Sequence, residues 1–371
     1  MSEKTIGMPK QAGGQNFGID ALRILSMMMV LMLHFLGFGG LLGAASGSPN
    51  YYVSWSLEAI SIVAVNCFIM ISGYLAVDSN FKVKRIIQIW LQVVFYSFGI
   101  TLCCFLFFDI DVTKIQFIKS LLPVSTSAYW YVTAFFGLAF FMPVLNGGLK
   151  AIHGGYFSSL VVVLIVFFSF IPSMLNKDPF ATKFGYTVIW FMVMYVIGYY
   201  IKSEKPFAKT KAPLFLLAYV FFTTITLLPK LMQIQPDGHW ISTIVGEGQS
   251  LQYTFPSVLL GSIALFLFFS RVKIKGRVWT KLIAFFAPLS FAVYLIHMQP
   301  IIKIQFLTGS STFLLNASPN VALCASIAIV IGLFVAMCLV DYIRSWIFKI
   351  MKINVLSEKA VAAVSKKLIR E

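Results

Sequence analysis

Ten apolar runs follow one another along the chain, each roughly 17 to 25 residues long and so long enough to cross a hydrocarbon core about 30 Å thick. They lie near 18–41, 52–77, 86–107, 129–145, 157–175, 186–201, 213–233, 253–270, 282–305 and 320–343. With 59% hydrophobic and 11% charged residues, the 371-residue chain has too little polar surface to enclose one soluble core. The expected fold class is therefore an all-α integral membrane protein, a single bundle of about ten transmembrane helices. No repeat, low-complexity tract or long linker divides it. The predicted organisation is a short polar tail over 1–16, a membrane domain over 17–348 and a basic tail over 349–371.

The net charge of +16 does not point to nucleic acid, because the Lys and Arg recur in short clusters between apolar runs. That pattern sets membrane orientation. With the N-terminus inside, the segments 1–17, 78–85, 146–156, 202–212, 271–281 and the C-terminal tail, with adjoining helix ends, hold 23 of the 29 cations. Lys114, Lys119, Lys177 and Lys183 fall in outer loops, and Lys230 and Lys303 near outer helix ends, where they can snorkel. Both termini are thus expected to be cytoplasmic. The first run precedes Gly43-Ala44-Ala45 in the manner of a signal peptide, but its internal His and the nine runs after it favour an uncleaved first span. Five cysteines, odd in number and all in apolar runs, argue against a disulfide framework or a zinc site.

Within the first run Asp20 and Arg23 stand at the start and His34 well inside. Eleven residues are three helical turns plus about 20°, so Arg23 and His34 share a face, about 16 Å apart along the axis. Titratable groups in lipid are costly and usually face a bundle interior or water-filled cavity. An interfacial Arg that snorkels, and a His satisfied by a neighbouring helix, fit the same pattern. In the second run Glu58 falls at a depth similar to His34, which makes it a candidate to orient and charge-stabilise the imidazole. The ninth run holds Pro288, Ser290, Tyr294, His297, Gln299 and Pro300 and reads as a kinked helix, Tyr294 and His297 sharing a face. His297 is late enough in that run to be interfacial. Lys82 and Arg85 can meet phosphates or simply mark the cytoplasmic side. Tyr51, Tyr52, Trp55, Trp130, Tyr131 and Trp240 suit either an interfacial aromatic belt or stacking on sugar faces.

Taken together these residues resemble the acyltransferase-3 family of polytopic membrane O-acyltransferases. Arg23, ten residues, then His34 is similar to that family's opening motif. Phe68-Ile69-Met70-Ile71-Ser72-Gly73-Tyr74-Leu75 is similar to its second-span signature, Tyr129-Trp130-Tyr131 with Pro143 to its Trp-containing segment, and Ser290 through Tyr294-Leu295-Ile296-His297 to its late Ser and Tyr-Leu-x-His element. The resemblance implies transfer of an acyl group, most often acetyl, from acyl-CoA to a glycan hydroxyl, as in bacterial enzymes that decorate surface polysaccharide. It implies a multi-pass protein of the bacterial plasma membrane, with acyl-CoA as donor substrate and no permanently bound cofactor or metal. A glycan or lipid-linked glycan is the acceptor, and membrane lipids are the surroundings.

On that reading Arg23 faces the donor's phosphates or thioester, and His34 is a general base or a transient acyl carrier. Glu58 or Asp20 sets its tautomer, and Tyr294 or Ser72 stabilises the oxyanion. Trp130, His297, Lys82 and Arg85 are candidate substrate contacts. A transporter or flippase of a lipid-linked sugar is the main alternative, since ten spans with buried polar groups suit it too. A glycan polymerase would be expected to carry a larger outer loop, and a structural scaffold leaves Arg23 with His34 unexplained.

Overall fold

The computed structural model describes residues 16–79, 81–108, 110–232 and 249–368. Trp240 and His239, and all but the last residue of the N-terminal tail, lie outside them. Every described regular element is helical. In chain order these are α1 Phe17–Gly37, α2 Pro49–Ser61, α3 Ala64–Ala76, α4 Val83–Phe107, α5 Lys114–Leu121, α6 Trp130–Leu149, α7 Gly154–Ile165, α8 Ile171–Leu175, α9 Val188–Ser203, α10 Ala212–Met232, α11 Pro256–Arg271, α12 Arg277–Phe286, α13 Ser290–His297, α14 Pro319–Ile350 and α15 Ile353–Leu368.

Each of the ten apolar runs is helical, but they do not meet the demands of a membrane equally. Among the described residues seven helices are long and apolar enough to cross, counting Pro49–Ala76 and Gly154–Leu175 as one each, or eight if α12 and α13 form a single bent span. The exceptions, α9 and α11, have 16 residues apiece. At 1.5 Å per residue that is about 24 Å, short of the hydrocarbon thickness. Both are inner helices: Trp190, Phe191, Met194 and Tyr195 of α9, and Leu259 and Phe266 of α11, have almost no exposed surface. The most apolar stretches of α1 and α2–α3 are 61% and 78% buried, whereas those of Gly154–Leu175 and α10 are each 17% buried. Exposed Phe, Leu, Val and Ile on α4, α7, α10 and α14 form the outer, lipid-compatible surface. Membership of the tail did not stop residues 353–368 from folding: α15 packs on α4, with Lys84 paired to Glu358.

Glycine sets the closest approach in the centre. A Cβ on Gly73 of α3 would overlap the backbone carbonyl of Tyr195 on α9, and one on Gly198 of α9 would overlap that of Met70 on α3. The two backbones touch at a reciprocal pair of glycines, the small-residue contact that lets membrane helices pack without a hydrophobic driving force. Gly198→Ala is therefore expected to force α3 and α9 apart and destabilise the protein by about 1–3 kcal/mol. Gly99→Ala on α4, where a Cβ meets open space, should change nothing. Thermal unfolding of the detergent-solubilised variants, compared side by side, checks both.

The same centre carries polar staples. Asn66 of α3 accepts from Trp190 Nε1 at 2.9 Å and donates to the Tyr253 carbonyl at 2.9 Å, tying α3 to α9 and the start of α11. At the margin, fully buried Asp341 of α14 accepts from Tyr96 Oη at 2.7 Å and from Arg344 through two bonds of 2.7 and 3.0 Å. That pair binds α14 to α4 with its charges satisfied.

Candidate active site

Helix α1 is set at both ends. Asn16 caps it, its Oδ1 accepting from Gly18 and Ile19 N–H at 3.0 and 3.3 Å, which satisfies two donors a helix start leaves open. At the far end Ser311 Oγ donates to the Phe35 carbonyl at 2.9 Å and accepts from Leu41 N–H at 3.0 Å. The Gly309 and Ser311 amides donate to the Phe38 and Gly39 carbonyls. His34 thus stands on a helix end that has little freedom to move.

The ninth run breaks where its prolines predict. Pro288 supplies no N–H, and α12 and α13 meet at 42° across residues 287–289. The chain turns again before Pro300, where Gln299 Oε1 accepts from Ile301 and Ile302 N–H at 2.7 and 3.0 Å. These two breaks aim the short helix α13 at α1 and carry Tyr294 and His297 with it.

His34 Nδ1 and His297 Nε2 lie 2.9 Å apart. His297 is 2% exposed, so it is not interfacial. Its Nδ1 sits 2.6 Å from the Val293 carbonyl, which can only accept, so Nδ1 of His297 carries the hydrogen. In the neutral ring Nε2 is then an acceptor, and the hydrogen between the two rings belongs to His34 Nδ1. That leaves His34 Nε2 unprotonated. One main-chain carbonyl, relayed through one imidazole, decides which nitrogen of the other is free.

His34 lines a narrow cavity with Met27, Val30, Val65, Phe68, Tyr131 and Tyr294, among others. Its free space is about 20 Å³, room for roughly one water. Tyr294 Oη is buried there without a hydrogen-bond partner. Leaving such a group unsatisfied costs about 1–3 kcal/mol, so a hydroxyl held this way is available to a reacting species. Trp130 is also in the wall, with the rings of Tyr186 and Tyr253 at 4.5 and 6.1 Å from its own.

The other sequence candidates are distributed as follows. Arg23 Nη1 is 3.4 Å from Asp20 Oδ1. Asp20 thus partners Arg23. Ser72 is on the same face of α3 as Val65 and Phe68 but one turn nearer the Arg23 end, its Oγ 3.5 Å from the Phe68 carbonyl. Lys82 and Arg85 are exposed at the start of α4, on the Arg23 end of the bundle. The anticipated contact between Glu58 and His34 is not formed. Equal depth on neighbouring helices does not make two side chains meet, and the Nδ1 that a carboxylate would take is occupied by His297. Glu58 Oε2 is buried without a hydrogen-bond partner. Among the described residues no three His, Cys, Asp or Glu side chains form a metal-ligating group.

The family model described as an acyltransferase domain matches residues 16–340, a stretch that includes every residue of this site. The chain belongs to the acyltransferase-3 family. No curated protein and no solved structure gives a significant match. With its apolar helices, this acyltransferase-3 protein is a multi-pass membrane acyltransferase. The partner of His34 was within reach of the sequence, since His297 was already a candidate, but nothing in the sequence joined two residues 263 positions apart.

Proposed function

We propose that the protein transfers an acyl group, acetyl in the first instance, from cytosolic acyl-CoA to a hydroxyl of a cell-surface or lipid-linked polysaccharide, with His34 as general base. The observation that carries this is the hydrogen-bond relay from Val293 through His297, which leaves Nε2 unprotonated on an imidazole that lines a cavity beside an unpartnered tyrosine hydroxyl.

His34 Nε2 takes the proton of the acceptor hydroxyl as its oxygen attacks the thioester carbonyl. The C–O bond forms and the carbonyl electron pair moves to oxygen, where Tyr294 Oη donates a hydrogen bond. Collapse breaks the C–S bond, and the departing CoA sulfur takes the proton back from Nε2. An O-acyl ester and the CoA thiol leave, and His34 is restored. Arg23 sits about 16 Å along α1 from His34, an interval for the donor's flexible arm, with the guanidinium suited to phosphate.

The testing experiment is the supply of radiolabelled acetyl-CoA to membranes holding the protein, from the side bearing Arg23. Label is expected in extracted glycan. Absence of transfer from acetyl-CoA and from longer acyl-CoAs, with the protein correctly inserted, would overturn the reading. Tyr294→Phe is expected to lower the transfer rate about 10²-fold with little change in the KM for the donor. Because the lost hydroxyl has no protein partner, thermal stability should be unchanged or raised.

A further inference from the structure

A second cavity, of about 230 Å³, lies at the same end of α1 as His34. Ser97 and Thr101 of α4, Gln116, Lys119 and Ser120 of α5, Thr126 of the following loop and Gln299 contribute its polar lining. The transfer chemistry above does not use it. Its volume is below the roughly 300–1,000 Å³ of sites for drug-sized ligands, so it suits something the size of one sugar ring.

The hydrogen bonds of the lining specify what kind of ligand fits. Thr101, Ser120 and Thr126 donate their hydroxyl hydrogens to the carbonyls of Ser97, Phe117 and Leu122, at 2.7, 2.7 and 2.8 Å. Gln299 Nε2 donates to Thr101 Oγ1 at 2.9 Å, and Gln299 Oε1 caps the turn after it. These three hydroxyls therefore have only lone pairs left to offer, while Lys119 and the Gln116 amide, whose Oε1 accepts from Thr113 at 2.8 and 3.1 Å, supply donors. A polyphosphate or thioester brings acceptors only, which the donors can meet but which leave the hydroxyl lone pairs unmatched. A polyhydroxyl ring brings donors for those lone pairs and oxygens for Lys119 and Gln116, so it can match both.

This cavity backs onto the histidine pair. Gln299 is two residues beyond His297, and Ala128, which lines the cavity, precedes Tyr129. Tyr129 Oη donates to the Leu295 carbonyl at 3.1 Å, and its ring lies 6.0 Å from that of Tyr294 in the first cavity. On the neighbouring side Ile304 lines the second cavity, while adjacent Lys303 places Nζ 4.3 Å from the Phe38 ring, itself 5.5 Å from the His34 imidazole.

We propose that the cavity between α4, α5 and the 299–304 segment is an acceptor subsite that anchors one sugar residue by its hydroxyls while a neighbouring residue of the glycan presents its hydroxyl to His34. The inference rests on the proposed transfer reaction, so its test includes a readout that does not need transfer. Thr126→Cys, made with Cys103→Ala and Cys324→Ala, is alkylated with a membrane-impermeant maleimide in the full-length protein. Methyl glycosides of glucose, galactose and N-acetylglucosamine serve as probes. At least one is expected to slow alkylation severalfold, and neither glycerol phosphate nor acetyl-CoA should do so. Protection by glycerol phosphate or acetyl-CoA, or by no glycoside, would overturn the subsite. Protection by a glycoside without any acyl transfer would support the subsite and remove the reaction. As a second variant, Thr126→Trp fills the cavity from an exposed loop. It is expected to raise the KM for the glycan acceptor about tenfold with the KM for acyl-CoA unchanged, and equal changes in both would count against the subsite.

Discussion

His34→Ala is expected to lower acyl transfer by about 10²- to 10⁴-fold, the range a positioned general base supplies. The variant removes the unprotonated nitrogen that the relay leaves on His34, a residue of the cavity wall. Replacement by solvent is hindered there, since Met27, Val30, Leu33, Val65 and Phe291 surround the space and it admits roughly one water. The substitution also leaves His297 Nε2 without its donor, at a cost of about 1–3 kcal/mol. Rates must therefore be expressed per mole of inserted, folded protein. Transfer within twofold of the native rate on that basis would remove His34 from the reaction.

His297→Ala is expected to cost about 10²-fold in kcat with the KM for acyl-CoA preserved. His297 is a positioning residue: its Nε2 meets His34, and no atom of it lines the His34 cavity. Without it nothing holds the hydrogen on His34 Nδ1, and the ring is free to take the other tautomer or to turn. A packing role alone would predict that any residue of similar size restores function equally. The relay predicts more. His297→Gln offers an amide oxygen that can accept the same hydrogen, so it should recover part of the lost rate, whereas His297→Leu should not. Equal activity in the Gln and Leu variants would show that His297 only fills space.

Much of the architecture was legible because hydrophobic length is a one-dimensional property. Among the described residues all ten runs are helical, some as more than one helix, and Arg23 and His34 fall on one helix with the spacing that periodicity requires. The proline break of the ninth run was equally readable, since a missing N–H acts locally. Rotation of one helix against another is not local. It decided that His34 meets His297 and not Glu58, although the sequence placed Glu58 at the right depth. The same limit explains Gly73, which the sequence marked within a motif. Its reason, contact with the Tyr195 backbone, appears only once α9 lies across α3. Length decides least where a helix is sheltered: α9 and α11, at 16 residues each, are shorter than the hydrocarbon is thick and are covered by their neighbours. Asp341 and Arg344 went unnoticed because a charged pair near the end of the last run reads as a helix end, until Tyr96 of α4 covers it.

The most direct test of the central claim is nitrogen-15 NMR of the histidine rings in the bilayer-embedded protein. The chain has four histidines, so single substitutions assign each signal. In the resting protein His34 and His297 are both expected as neutral rings protonated at Nδ1, with His34 Nε2 carrying no hydrogen. A His34 ring protonated at Nε2 would contradict the relay, and with it the assignment of His34 as the base.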